Sequence, residues 1–459
     1  MHSDGTEERV EPIYPGPPTR REQGGEGAPE PDHIDAGRSR NPGRVDGHLA
    51  LCGSPGKPIS TGVWHSGSAA MKVLVVLTYY RPHVSGLTIY VERLSRALAG
   101  RGHQVTVLTS RYERSLPLRE AMDGVVVRRM PVAFRLSKGV VMPTIGWEAT
   151  REVWSHDVVS LHLPQFDAAG VALRGRLLGR PTVLTYHCDV RLPRGGINPL
   201  ANVGVNLANR LAAGLCHRIV AYTQDYADHS PFLQRYMDKV QVIPPPVEVK
   251  PVSREDTARF VQAHRLAGRP VIGMAARLAT EKGVEYLLQA LPIILVQFPR
   301  AQVWFAGQHE KVLGEADYAQ RLEPLLKANA DHWRFLGPLE PTEMAAFFKS
   351  CDVSVLPSVN STESFGLVQI ESMMLGTPVV ASDLPGVRQP VLTSGMGRTV
   401  PPRDSQALAE AVIEVLRHSR KYKGKLSEIS PRFAPDSIAA QYEAMFLQLL
   451  GRPLAVGSV

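Results

Sequence analysis

The chain has 459 residues, 44% of them hydrophobic and 21% charged, the composition of a globular protein long enough for two cores. Its four cysteines, Cys52, Cys188, Cys216 and Cys351, stand far apart with no Cys-x-x-Cys pair, which argues against a disulfide framework or a zinc ribbon and for a reducing cytoplasm. A net charge of +8 asks for an anionic partner, yet no zinc-finger, basic-zipper or RNA-binding signature accompanies it, so nucleic acid is set aside in favour of a phosphorylated small molecule or an anionic membrane surface.

Residues 1–70 are rich in Gly, Pro, Glu, Asp and Arg and are too poor in branched and aromatic residues to offset the entropy of ordering, so they are expected to be a disordered tail or the product of a mis-called start, with Met71 as the initiator. They lack the basic and apolar regions of a signal peptide, and no apolar run anywhere approaches the roughly 20 residues that span a bilayer. From Met71 the texture changes to Met71-Lys72-Val73-Leu74-Val75-Val76-Leu77, a run suited to a buried parallel strand. The expected strands are 72–78, 104–109, 157–163, 182–186 and 218–222, with amphipathic helices between many of them. In 89–100, Val91, Leu94 and Leu98 share one face. Ile243-Pro244-Pro245-Pro246 then stiffens the chain and removes backbone donors, and a second set of strands follows at 271–276, 302–306, 333–336, 352–356 and 378–381. The alternation predicts an α/β protein of two Rossmann-like, doubly wound parallel domains, 71–246 and 252–435. A terminal helix over 436–452 carries Ile438, Tyr442, Met445, Phe446 and Leu449 at helical spacing.

In such sheets ligands bind beyond the carboxyl ends of the strands. The first such loop, Tyr79 to Leu87, has no Gly-x-Gly-x-x-Gly, which counts against a nicotinamide dehydrogenase; its Ser85-Gly86 turn can still offer backbone N–H groups to a phosphate. The most informative stretch runs from Pro357 to Glu371: a strand end, a polar loop with Glu363, and a helix starting near Gly366 and ending before Gly376. The N–H groups of Phe365, Gly366 and Leu367 would emerge where a helix favours a phosphate, and Glu363 and Glu371 are carboxylates fit to accept from sugar and ribose hydroxyls.

Glu363 and Glu371, seven residues between them and Ser364-Phe365-Gly366 after the first, resemble the Glu-x(seven)-Glu signature of retaining GT-B glycosyltransferases, above all family four, the group 1 glycosyl transferases. Ala276-Arg277-Leu278 with Lys282-Gly283, Phe335-Leu336-Gly337, Leu356-Pro357-Ser358, Gly376-Thr377-Pro378, Gly102-His103-Gln104 and Thr185-Tyr186-His187 are similar to that family's landmarks in the same order. The resemblance implies a GT-B fold whose two domains face across a cleft, the first binding the acceptor and the second the nucleotide sugar, with the terminal helix crossing back. It implies that Arg277 and Lys282 clamp the donor diphosphate and that Glu371 holds the ribose. Glu363, Ser364 and the backbone from Phe365 to Leu367 would hold sugar and phosphate, Ser85 and Gly86 would approach the phosphate, and Leu336 and Gly337 would read the base. It sets His187 beside the donor sugar, where it helps stabilise a sugar of oxocarbenium character in a front-face mechanism.

A guanidinium and an ammonium supply the charge that a divalent ion gives elsewhere, and no Asp-x-Asp occurs in the chain, so the expectation is a metal-independent hexosyltransferase with no cofactor beyond the nucleotide sugar. Its donor would be GDP-mannose or a UDP-hexose, and its acceptor a sugar or lipid-linked hydroxyl. A sugar-nucleotide epimerase and an inactive GT-B binding module are the rival readings. Arg93, Arg96 and Arg101 add the expectation of peripheral contact with the inner face of the cytoplasmic membrane.

Overall fold

The computed structural model describes residues 70–136, 139–189, 198–266, 269–312, 314–424 and 426–453, so the expectation for the first seventy residues lies outside it but for the last of them. The first half of the described chain builds strands β1 (Lys72–Val76), β2 (Gln104–Arg111), β3 (Arg119–Met122), β4 (Val125–Pro131), β5 (Phe134–Leu136), β6 (Gly139–Val141), β7 (Val158–Leu163), β8 (Thr182–Tyr186), β9 (Arg218–Ala221) and β10 (Val240–Val242). Eight of them form one sheet in the order β10-β9-β8-β7-β1-β2-β4-β3, parallel except for β3 on β4, while β5 and β6 pair separately. The second half builds β11 (Val271–Ala275), β12 (Gln302–Ala306), β13 (Trp333–Gly337), β14 (Val353–Leu356), β15 (Val379–Ser382) and β16 (Gly397–Val400), a parallel sheet in the order β13-β12-β11-β14-β15-β16.

Helices cover both faces of each sheet, which is why the central strands are apolar at every position rather than at alternate ones. Along β1, Val73 and Val75 pack with the Gly86–Gly100 and Pro435–Leu449 helices, whereas Leu74 and Val76 face the other layer, made by the Ile145–Ser155, Ala168–Leu177 and Asn198–Leu215 helices. Along β11 the same alternation sends Ile272 and Met274 to one core and Val271 and Ala275 to another. The fold is thus two α/β domains, each a doubly wound parallel sheet.

The Pro435–Leu449 helix returns to the first sheet. Tyr442 Oη lies 2.7 Å from Tyr90 Oη and 2.8 Å from Thr185 Oγ1, and Arg101 reaches Glu443 at 2.7 Å and Asp436 at 3.0 Å. Ile438 and Phe446 are completely buried there, each contributing about 1.5–3 kcal/mol of hydrophobic stabilisation. Among the described residues no helix is long and apolar enough to cross a membrane.

The ten strands expected from the sequence are all present, within one or two residues at their ends. Six more appear. β3 and β4 form a hairpin about Asp123-Gly124, both at positive φ (50° and 80°), and the Asp-Gly pair is itself a hairpin signal. Arg128 and Arg129 in mid-strand obscure it, although Arg129 is buried and donates to the carbonyls of Arg81 (2.8 Å) and Pro117 (3.2 Å). β5, β6, β10 and β16 have at most four residues each, too few to show a period.

Candidate active site

Each sheet reverses its winding at one strand. β1 has β7 and β2 as neighbours and β11 has β12 and β14, so the loops leaving these strands diverge and open a crevice at the carboxyl edge. The two crevices face one another: contacts between the halves run from the loops after β8 and β9 to those after β14 and β15.

The loop after β11 passes Arg277, makes a tight 3-10 turn over Thr280–Lys282 and ends at Gly283, whose φ is +64°. A side chain there would overlap the Pro357 carbonyl, so glycine allows this loop to lie on the one after β14, and Val359 N–H donates to the Glu281 carbonyl at 3.0 Å. That close approach brings Lys282 Nζ to 2.6 Å from Glu363 Oε2, with the two side chains 20% and 16% exposed. Arg277 pairs with Glu281 at 3.0 Å and is 47% exposed. It also faces the loop after β1: burial first, then the Arg277 guanidinium, holds the His83 imidazole below its ordinary pKa.

The β14 loop ends at Gly366 (φ +81°), where a side chain would run into Leu356 and Gln369, and the Leu367–Met374 helix starts at once. The helix thus opens four residues after Glu363, and the free N–H groups of a helix start favour an anion. Phe365 is buried against Tyr222 and Phe433 and anchors the loop from below. Glu371, one turn into the helix, is already engaged: Oε1 accepts from Arg93 at 2.8 Å, both side chains 14% exposed, and Arg93 also donates to the Glu248 carbonyl at 3.0 Å. Gly337 ends β13 at φ +71°, its carbonyl accepting from Gly307 N–H at 2.8 Å, with Leu336 half-buried before it. Ser85 caps the Gly86–Gly100 helix by accepting from Thr88 N–H at 3.2 Å. Gly86 is exposed, with open space where a side chain would stand.

On the opposite wall, the groups around His187 are neutral. His187 follows β8 directly, but its ring turns inward: Nδ1 meets the Tyr222 hydroxyl and Nε2 lies 2.9 Å from His162 Nδ1. His162 Nε2 in turn lies 3.2 Å from Ser160 Oγ. Burial holds His187 well below the ordinary histidine pKa, with His162 adding to it, and pushes His162 down to about 3; burial likewise raises the Tyr222 phenol, which keeps its proton. Each ring nitrogen is paired with both imidazoles neutral, whether the relay runs from Tyr222 through His187 and His162 to Ser160 or in the reverse sense. The site therefore receives from His187 its carbonyl, which accepts from Ser364 Oγ, and no free ring nitrogen. The next side chain, Cys188, is half-buried near Glu363; burial first, then that carboxylate, pushes its thiol up to about 12.

Further crossings fix the walls. Tyr226 Oη donates to the Ser361 carbonyl at 3.2 Å, and Asp225 takes Arg388 in a bidentate grip (2.9 and 2.6 Å) together with Gly386 N–H at 2.8 Å. Burial alone would raise the Asp225 pKa, but the Arg388 and Gly386 donors outweigh it and hold the carboxyl below its ordinary value.

Of the residues singled out from sequence, Lys282, Glu363 and Ser364 share one connected loop pair, Arg277 stands beside it through Glu281, and Glu371 is held by Arg93 from the first domain. Arg93, His162, Tyr222, Cys188 and Asp225 were not singled out for the site. Ser160 and His162, two residues apart in the fully buried β7, share a strand face, and that polar pair in an apolar run was a signal available in the sequence. Among the described residues no three His, Cys, Asp or Glu side chains gather to hold a metal ion.

Comparison with known proteins adds family-level findings. Residues 256–431 match the family described as glycosyl transferases group 1, and residues 85–246 match a glycosyl transferase 4-like domain. The chain is 30% identical over 394 residues to 2-deoxystreptamine N-acetyl-D-glucosaminyltransferase of Streptomyces fradiae, covering 78% of this chain and 90% of that protein. It is 27% identical over 389 residues to phosphatidyl-myo-inositol mannosyltransferase of Mycobacterium leprae, covering 81% and 95%. Among solved structures, Anabaena HepE in complex with UDP and glucose superposes with a TM-score of 0.66 at 20% identity, over 82% of this chain and all of that one (100%).

Proposed function

The chain belongs to the group 1 glycosyltransferases, family four of the GT-B fold, enzymes that draw a glycosyl group from a nucleotide sugar, and on that premise we propose that it transfers a hexosyl group from GDP-mannose or a UDP-hexose, with retention and without a metal ion. The observation that carries this reading is the Lys282–Glu363 pair at the mouth of the Leu367–Met374 helix, with Arg277 beside it.

As the bond from the anomeric carbon to the diphosphate breaks, charge gathers on the leaving oxygen. Lys282 exchanges Glu363 for the phosphate, Arg277 meets the same charge from the exposed side, and the helix N–H groups donate to the phosphate oxygens. Glu363, so released, accepts from hydroxyls of the sugar. The acceptor hydroxyl attacks from the side the diphosphate leaves, and its proton passes to the departing phosphate oxygen. The inward, neutral His187 ring gives the oxocarbenium-like sugar no charge; the wall it belongs to supplies a carbonyl and a fixed loop. Glu371 takes the ribose once Arg93 gives way, and Leu336 and Gly337 read the base. Residues 71–246 would bind the acceptor and 252–435 the donor.

The acceptor is an alcohol. The relatives' printed acceptors, 2-deoxystreptamine and phosphatidyl-myo-inositol, support a ring-borne hydroxyl, free or on a lipid. Cys188, Cys216 and Cys351 as free thiols suit a cytoplasmic enzyme. The test is a panel of nucleotide sugars screened by thermal shift, since a bound donor raises the melting temperature. The best donor is then incubated with candidate acceptors and the product anomer read by NMR. An inverted anomer, or no shift with any nucleotide sugar, overturns the reading.

A further inference from the structure

The helical layer of the first domain that lies away from the returning terminal helix has an unusual outer face. Seven of the thirteen large apolar side chains exposed among the described residues belong to its three adjacent helices. Trp147 (77% exposed) and Trp154 (66%) stand seven residues apart on one side of the Ile145–Ser155 helix. Leu173 and Leu177 (44% and 74%) follow on the Ala168–Leu177 helix. Val203, Leu207 and Leu211 (66%, 56% and 51%), spaced by four, line the Asn198–Leu215 helix. The inner sides of the same helices hold Ala149, Val153, Val171, Ala172, Ala212 and Ala213 in the core, so the apolar side chains outside are a second, outward stripe. A surface helix ordinarily keeps that side polar.

The charge on this face has one sign. Its exposed residues include Arg151, Arg176 and Arg210 and, among the described residues, no acid. Glu148 is paired with Arg128 at 3.5 Å, and Glu152, buried, is paired with the same arginine. A second copy of the chain docked about a two-fold axis would lay this face on itself and bring arginine against arginine with no carboxylate between. An anionic bilayer suits both features, since tryptophan favours the boundary of headgroup and acyl chain, leucine goes below it and arginine meets the lipid phosphate. The arginines first expected to do this are unsuited to it: Arg93 pairs with Glu371, Arg96 with Glu248, and Arg101 with Glu443 and Asp436.

We infer that the outer face of the 145–155, 168–177 and 198–215 helices is a docking surface for an anionic lipid bilayer. It stands apart from the transferase reading, because docking is measured without any donor and donor binding without any vesicle.

The test is flotation of the full chain with vesicles of phosphatidylcholine alone or with phosphatidylglycerol, alongside the Trp147→Ala/Trp154→Ala and Arg151→Glu/Arg210→Glu variants. All four positions are exposed, and unchanged melting confirms that the variants fold. The face predicts binding to the anionic vesicles, weaker by at least tenfold in each double variant and weakened by salt. No binding by the parent chain, or binding by both variants as strong as the parent's, overturns the assignment. So does sedimentation showing a dimer that Leu207→Lys dissolves, since the face would then be covered by a second copy.

Discussion

The two walls of the crevice are built on opposite electrostatic plans. The wall from the second sheet carries its charge near water: Lys282 and Glu363 in mutual contact, and Arg277 nearly half exposed. The wall from the first sheet buries a chain of neutral groups, Tyr222, His187, His162 and Ser160, each satisfying the next. A charged pair at a mouth can exchange partners when a diphosphate arrives; a buried neutral chain cannot change without exposing an unpaired polar atom. On the proposed reading, the charged wall carries the chemistry and the neutral chain holds the loops in place.

The sharpest way to break it is Lys282→Ala. If its cation meets the leaving diphosphate, whose charge is larger in the transition state than in the bound donor, turnover at saturating donor should fall by about 10²-fold or more, with donor affinity changed far less. A variant that binds donor poorly but turns over normally when saturated would remove Lys282 from leaving-group stabilisation.

The neutral wall should answer in stability. His162→Phe leaves His187 Nε2 unpaired in the core, a loss of about 1–3 kcal/mol in urea denaturation, while turnover of the folded protein stays within a few-fold. The same wall sets a pH dependence. Burial pushes His162 down to about 3 and holds His187 well below its ordinary value, so as pH falls below about 6.5 the unfolded chain takes up their protons first. Their contribution is complete above that value and falls by about 1.4 kcal/mol per pH unit for each ring. Denaturation at pH 7.5 and 5.5 should show this slope, and it should be shallower in His162→Phe. A parent chain equally stable at both values would mean that the rings are not held neutral.

Smaller effects sharpen the crossing between the walls. If Glu371 holds the ribose, Glu371→Gln should weaken donor binding and leave saturated turnover near its parent value, the pattern of uniform binding. Arg93→Met should do the reverse and tighten binding by a few-fold, because the carboxylate is no longer shared. Isothermal titration with the preferred donor decides, and weaker binding in Arg93→Met would make Arg93 part of the donor site. Smallest is Asp225→Asn, which loosens the grip on Arg388 and should lower stability by about 1 kcal/mol in urea denaturation. A larger loss would mark this crossing as a main support of the two-domain arrangement.

The fold is legible because a parallel sheet buried on both faces writes itself as apolar runs, and ten strands follow from them; β3 and β4 are hidden because arginines interrupt the run and only the Asp-Gly turn marks them. In the site, the loop residues Lys282, Glu363 and Ser364 came from motifs that keep their spacing. What the sequence hid is which long-range partner each charge chooses. Arg93 is 278 residues from Glu371 and Arg101 is 342 from Glu443, and no local period reports such pairs, so three arginines expected at a membrane surface are instead paired with carboxylates of the chain. The direction of the His187 ring was hidden likewise, since it depends on β7 lying beside β8 in the sheet.

The central claim, that the charged wall drives group transfer with its own cations, is tested most directly by following release of the nucleoside diphosphate from the preferred donor, with and without acceptor, in excess chelator. The account predicts release that depends on acceptor and is undiminished by chelator. Release abolished by chelator and restored by a divalent ion would contradict it, as would conversion of the donor sugar with no acceptor present.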